Sequence, residues 1–245
     1  MPGSGPAAPE TVAIPVRFNG PPTSANGGFT CGTVARLLGA DAAEINLRTP
    51  PPLDTPLAVV RDDAAVSLRD GDAVVAEGRP IGEVEVTPPA TVAVADARRA
   101  SRDFPWLGHH PFPSCFVCGP RRDHDDGLDI FAGPVGVDGL FASEWTPAGE
   151  WADRSGRVRP EVVWAALDCP SSVPTIAADA SPPPVVLARL EASLEGPIAV
   201  EEPHVVASWG LGTDGRKRHA ASAILDAHGD VLARARALWI ELPDR

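Results

Sequence analysis

Asp168 stands in the run Ala165-Ala166-Leu167-Asp168-Cys169, a carboxylate among apolar neighbours. An unpaired carboxylate is costly to bury, so an acid at such a position is expected to be paired or put to use. Burial also raises a carboxyl pKa towards neutrality, which suits general-base work. Ser172 follows one helical turn later, where its hydroxyl could bond the acid or a water, and Ser171 and Thr175 are further candidates for the same task. Pro170 lies between them and is expected to end or bend the helix.

Other schemes for nucleophilic or cofactor chemistry find no support. The chain has no G-x-S-x-G elbow, no Gly-rich dinucleotide fingerprint and no P-loop. Cys115-Phe-Val-Cys118, with His109, His110 and His124 close in sequence, is the one motif that suggests a metal. No second C-x-x-C follows it, and a Pro-rich loop would have to supply the geometry, so no metal and no cofactor is expected. The four cysteines are too few and too unevenly spaced for a disulfide framework, and in a reducing, cytoplasmic setting, which is the one expected, they read as thiols or ligands.

Composition narrows the partners. With 33 acidic against 21 basic residues and a net charge of −12 over 245 residues, nucleic acid is not the expected partner. No stretch has the length and apolarity of a membrane helix, and the N-terminus lacks the basic start and apolar core of a secretory signal.

The elements that must position Asp168 come in two similar sets. Gly27–Gly39 and Pro160–Ser172 each read as a short helix, and in the second Val162, Val163, Ala166, Leu167 and Cys169 form a broad apolar face for burial against a sheet. Pro160 suits a first helical turn, and Gly39 a helix stop. Strands are expected at Ala43–Pro50 and Val186–Leu194. Paired strands around Gly turns follow at Ala65–Arg79 and Ser222–Arg236. Gly127–Pro147 reads as a hairpin before the second helix, with Val12–Gly20 as its shorter counterpart. The second copy has room for an extra hairpin through His204–Gly212, and the basic run Arg216–His219 reads as a solvated edge. Between the copies, 88–113 is a Pro- and Arg-rich linker, part helix and part extended, which gives an N-terminal half at 11–87 and a C-terminal half at 114–245.

One helix wrapped by a curved antiparallel sheet, present twice, resembles a double hotdog of the thioesterase superfamily, an α+β fold. The second copy resembles thioesterases of the phenylacetyl-CoA type through Cys115, Cys118, Gly119, Gly127-Leu128, the EWTP strand end, the AALDC helix and the LARARALWIEL strand. The first is similar to the N-terminal half of acyl-CoA thioesterase II proteins through Ala25–Phe29 and the RDGDAVVAEGR strand pair.

That resemblance implies an acid on one central helix and a backbone N–H donor at the start of the helix of the opposite half. Matched to the family's His-Gly-Gly pattern, Asn26-Gly27-Gly28 corresponds to Arg159-Pro160-Glu161, and the acid position falls on Ala35 in the first copy and Asp168 in the second. One composite site therefore keeps both acid and glycines, while the other has lost both. The resemblance implies Asp168 as base or nucleophile, Gly28 and Gly27 as oxyanion donors, and Ser172 as a positioning residue. Asn26, Ser171 and Thr175 would contact an acyl thioester such as an acyl-CoA; Trp164 reads first as core packing and otherwise as the aromatic that meets the acyl group, and hotdog duplicates suggest further pairing as a homodimer. A non-catalytic acyl-CoA or lipid-binding module is the alternative, expected if an Arg pairs with Asp168. A hydratase or dehydratase would need a helix His that the sequence does not supply.

Overall fold

Both expected helices are present in the computed structural model, which describes residues 10–179 and 183–243. The principal helices are α1 (Gly27–Leu38), α2 (Val94–Ala100) and α3 (Pro160–Ile176). Asn26 starts α1 by accepting the Phe29 N–H on Oδ1 at 2.8 Å, and Gly39 ends it at φ 67°. α3 runs past the expected stop and contains both Pro170 and Pro174. A proline ring leaves carbonyls of the preceding turn short of partners. The carbonyl that loses its N–H is Ala166 O for Pro170 and Pro170 O for Pro174, and around them Ser222 donates to Leu167 O at 2.7 Å, Ser171 to Asp168 O at 2.6 Å, and Ser172 to Cys169 O at 2.8 Å.

The strands are β1 (Thr11–Val12), β2 (Ala42–Leu47), β3 (Leu57–Asp62), β4 (Ala65–Asp70), β5 (Ala73–Pro80), β6 (Gly133–Pro134), β7 (Leu140–Trp145), β8 (Val185–Leu194), β9 (His204–Asp214), β10 (Lys217–Leu225) and β11 (Val231–Glu241). They form one antiparallel sheet in the order β1-β3-β4-β5-β2-β8-β11-β10-β9-β7-β6. Read outward from the centre, β2-β5-β4-β3-β1 matches β8-β11-β10-β9-β7, so the repeat is carried by the topology. The two sheets expected from sequence are continuous, because Ala42–Asn46 of β2 pairs with Arg189–Ser193 of β8. Each half thereby covers an edge that would otherwise expose unpaired backbone groups.

Three further expectations change. The hairpin expected through His204–Gly212 is present as β9 and β10, turning at Asp214–Lys217, but it is not extra, since β3 and β4 form its counterpart in the first copy. Only Leu57 of β3 is buried, so its sequence lacks the alternation that marks a strand. Val12–Gly20 forms the two-residue β1 and a 3-10 turn at Val16–Phe18 rather than a hairpin. The basic run is not at an edge: β10 lies between β9 and β11, and Arg218 pairs with Asp179 and Glu241 and donates to Thr175 O at 2.8 Å.

α1 and α3 pack against each other and against the same main core. Gly28 and Gly32, one turn apart on α1, allow the close approach. A Cβ on Gly28 would lie 2.4 Å from Asp168 Cβ, and one on Gly32 would lie 2.6 Å from Glu161 Cα. A second core uses alternate residues of β7, β9 and β10, with Val84, Val86, Val92 and Ala97 packed on Leu140, Val205, Ala207 and Trp209. Segment 88–113 is thus part helix, as expected, and its α2 packs on β7 and β9. Among the described residues, no helix is long and apolar enough to cross a membrane.

Candidate active site

The close contact of α1 with α3 joins the start of one helix to the middle of the other. Asp168 is 1% exposed, and its Oδ2 accepts the Gly28 N–H at 2.8 Å and an Asn26 Nδ2–H at 3.0 Å. Its Oδ1 is buried and has no hydrogen-bond partner among the described residues. Burial pushes the Asp168 pKa up to about 7; the Gly28 and Asn26 donors pull it down, while negative charge on nearby Cys115 raises it. Asn26 serves both helices at once, capping α1 with Oδ1 and holding the acid of α3 with Nδ2.

Asp168, Asn26, Gly27 and Ser172 line a cavity of about 730 Å³ whose apolar walls include Trp106, Ile176, Leu187 and Trp239. Gly27 is the first residue of α1, and its N–H donates no hydrogen bond within the described residues. It is therefore an available donor at the positive end of a 12-residue helix. The Gly28 N–H, expected as the main oxyanion donor, is instead bonded to Asp168.

The remaining expected site residues separate by role. Ser172 lines the cavity but does not position the acid, because its hydroxyl turns back to the carbonyl of Cys169. Ser171 is fully buried; it bonds Asp168 O and accepts the Trp239 Nε1–H at 2.9 Å, so it orients a wall of the cavity without reaching it. Thr175 bonds Ser172 O at 2.6 Å and lies outside the lining. Trp164 takes the core-packing role rather than meeting the acyl group: it is 1% exposed and packed where α3 meets α1, beside Gly32. Trp106 and Trp239 line the cavity instead, and neither stands on a helix where helical spacing could have marked it.

The cysteine loop holds more than the sequence showed. Cys115 and Cys118 meet Cys169, and the three Sγ atoms lie within 4.8 Å of one another. The thiols of Cys118 and Cys169 and the backbone N–H groups of Cys118 and Val117 hold the Cys115 pKa well below the usual thiol value, against burial. In the sequence Cys169 belongs to the apolar face of a helix, and nothing in its spacing ties it to Cys115, 54 positions earlier.

No protein-family model matches the chain, and neither does any curated protein sequence. Solved structures do resemble it. A TesB protein from Mycobacterium avium subsp. paratuberculosis superposes with a TM-score of 0.63 at 12% identity, covering 94% of this chain and 91% of the other. A hot dog fold protein from Alicyclobacillus acidocaldarius gives 0.60 at 12%, covering 99% and 96%. A protein from Novosphingobium aromaticivorans, itself only proposed to be a thioesterase, gives 0.63 at 11%, covering 98% and 100%. The chain therefore has the α+β hotdog fold.

Proposed function

We propose that this chain is a double hotdog thioesterase, built from halves 11–87 and 114–245, that hydrolyses an acyl-CoA or related acyl thioester at one composite site. The observation that carries the reading is the buried Asp168 carboxyl in the lining of a largely apolar cavity, with Oδ1 making no hydrogen bond within the described residues. A buried oxygen without a partner calls for one, and a water or a substrate group entering the cavity would supply it. The partners of Oδ2 are neutral N–H groups rather than an Arg, which counts against the binding-module reading. The thioesterase and TesB names among the similar structures support the same reaction class.

In the proposed reaction Asp168 takes a proton from water as the water oxygen adds to the thioester carbonyl carbon. The carbonyl oxygen gains negative charge next to the Gly27 N–H, where the helix terminus favours an anion. Collapse breaks the carbon–sulfur bond, and the departing thiolate takes the proton from Asp168. Gly28 and Asn26 hold the base and leave Oδ1 free for the water. Thiol release from short, long and aryl acyl-CoAs by wild type and Asp168→Asn tests the proposal. Turnover of at least one substrate, lost in the folded variant, is the expected result, and equal turnover by both proteins would refute it.

A further inference from the structure

Of the four cysteines, Cys31 lies apart within α1, while Cys115, Cys118 and Cys169 converge from two distant segments. All three line the cavity next to Asp168. The Sγ atoms of Cys115 and Cys169 are 3.6 Å apart, and all three pairs fall within 4.8 Å. Thiolates around a tetrahedral zinc, at Zn–S about 2.3 Å, stand about 3.8 Å from one another. The arrangement is thus within a small adjustment of a metal-binding one.

N–H groups surround the sulfurs as well. Cys115 accepts the backbone N–H groups of Val117 and Cys118. Asn26 Nδ2 stands 3.5 Å from Cys169 Sγ, and His110 Nε2 stands 3.3 Å from Cys118 Sγ. His110 Nδ1 accepts the Phe112 N–H at 2.9 Å, which leaves the ring proton on Nε2, so the imidazole donates to sulfur and is not set up to ligate through that nitrogen. A neutral thiol is a weak acceptor with little use for such donors, whereas metal-bound thiolates are routinely held by them. The turn itself needs Gly119, where a Cβ would lie 2.4 Å from Cys115 N and 2.6 Å from Cys115 O.

We propose that Cys115, Cys118 and Cys169 form a site for one zinc ion, with the fourth coordination position open to the cavity. Three thiolates this close would repel one another, and a divalent, thiophilic cation supplies the compensating charge. This inference does not depend on the thioesterase reading.

The test uses untagged full-length protein, produced with zinc and kept reduced, with metal content measured by mass spectrometry and Co²⁺ then exchanged for zinc. One metal per chain is expected, with a sulfur-to-cobalt charge-transfer band and the intense visible bands of a tetrahedral site. Cys118→Ser and Cys169→Ser should each weaken metal binding about tenfold or more, and Cys31→Ser should leave it unchanged. Failure of wild type to bind either metal, binding without the charge-transfer band, or full retention by Cys169→Ser would overturn the proposal. If a Ser variant does not fold, the charge-transfer intensity of wild type, which scales with the number of thiolates, decides the matter.

Discussion

Gly28 donates its backbone N–H to Asp168 Oδ2 at 2.8 Å across the contact between α1 and α3, and a Cβ at Gly28 would lie 2.4 Å from the Cβ of that same Asp168. The bond that holds the acid and the packing that brings the helices together are one feature. Gly28→Ala is therefore expected to force the helices apart, because its Cβ would also meet Trp164 O at 2.6 Å and Ala165 Cα at 2.8 Å. The expected loss is about 3 kcal/mol or more, read by denaturant unfolding, because the obstructing atoms are mostly backbone.

Gly27 separates the oxyanion role from packing. Gly27→Pro removes the N–H at a first-turn position that favours proline, after an Asn26 already at φ −60°, ψ 133°. Gly27→Ala keeps the N–H and adds the same Cβ, which meets the side chains of Leu187 and Leu47. The Pro variant should lose ~100–1,000-fold in kcat while the Ala variant retains most of it. Equal effects would assign the loss to crowding at Leu187.

Asp168 should set the pH dependence of metal-stripped protein. A base must be ionised to act, so kcat/KM is expected to rise with pH through about 7 and then level off. Asn26→Ser keeps an oxygen to cap α1 but removes a donor that stabilises the ionised acid. Its midpoint should move to higher pH with little change in Tm. An unmoved midpoint would deny Asn26 its part in holding the acid.

Stability gives the same titration a second readout. The folded pKa of Asp168 is raised from 3.8 to about 7, so the native state holds a proton that the unfolded chain releases at lower pH. The stabilisation is complete below the unfolded pKa and is lost as pH rises through about 7, an amount on the order of 4 kcal/mol. Comparing metal-stripped wild type with Asp168→Asn by denaturant unfolding across pH isolates this from acids such as Asp153 and Asp226, whose lowered pKa values act in the opposite sense. A difference that stays constant between pH 4 and 8 would contradict it.

Much of this was legible in the chain because the relevant signals are local. Gly39 marks the end of α1, Pro160 marks the start of α3, and Gly71 and Gly229 mark tight turns with φ of 56° and 92°. Asp168 stood out as a charge among apolar neighbours. What stayed hidden depends on contacts between distant segments. The β2–β8 pairing joins two strands that look alike alone or paired, and Cys169 meets the cysteine loop only after α3 docks on it. The hydroxyl of Ser172 chose a carbonyl on its own helix over the acid, and helical spacing alone does not decide between them. Pro170 does not stop α3, because the helix is held through it by packing on β9 and β10, which its local sequence does not announce.

The most direct test of the composite site is one assay of folded, metal-stripped Asp168→Asn at pH 8, reading thiol release and Tm together. The account predicts a drop of ~100–10,000-fold in kcat/KM together with a higher Tm than wild type, because the same buried charge that supplies the base destabilises the fold. Undiminished thiol release with an unchanged Tm would contradict it.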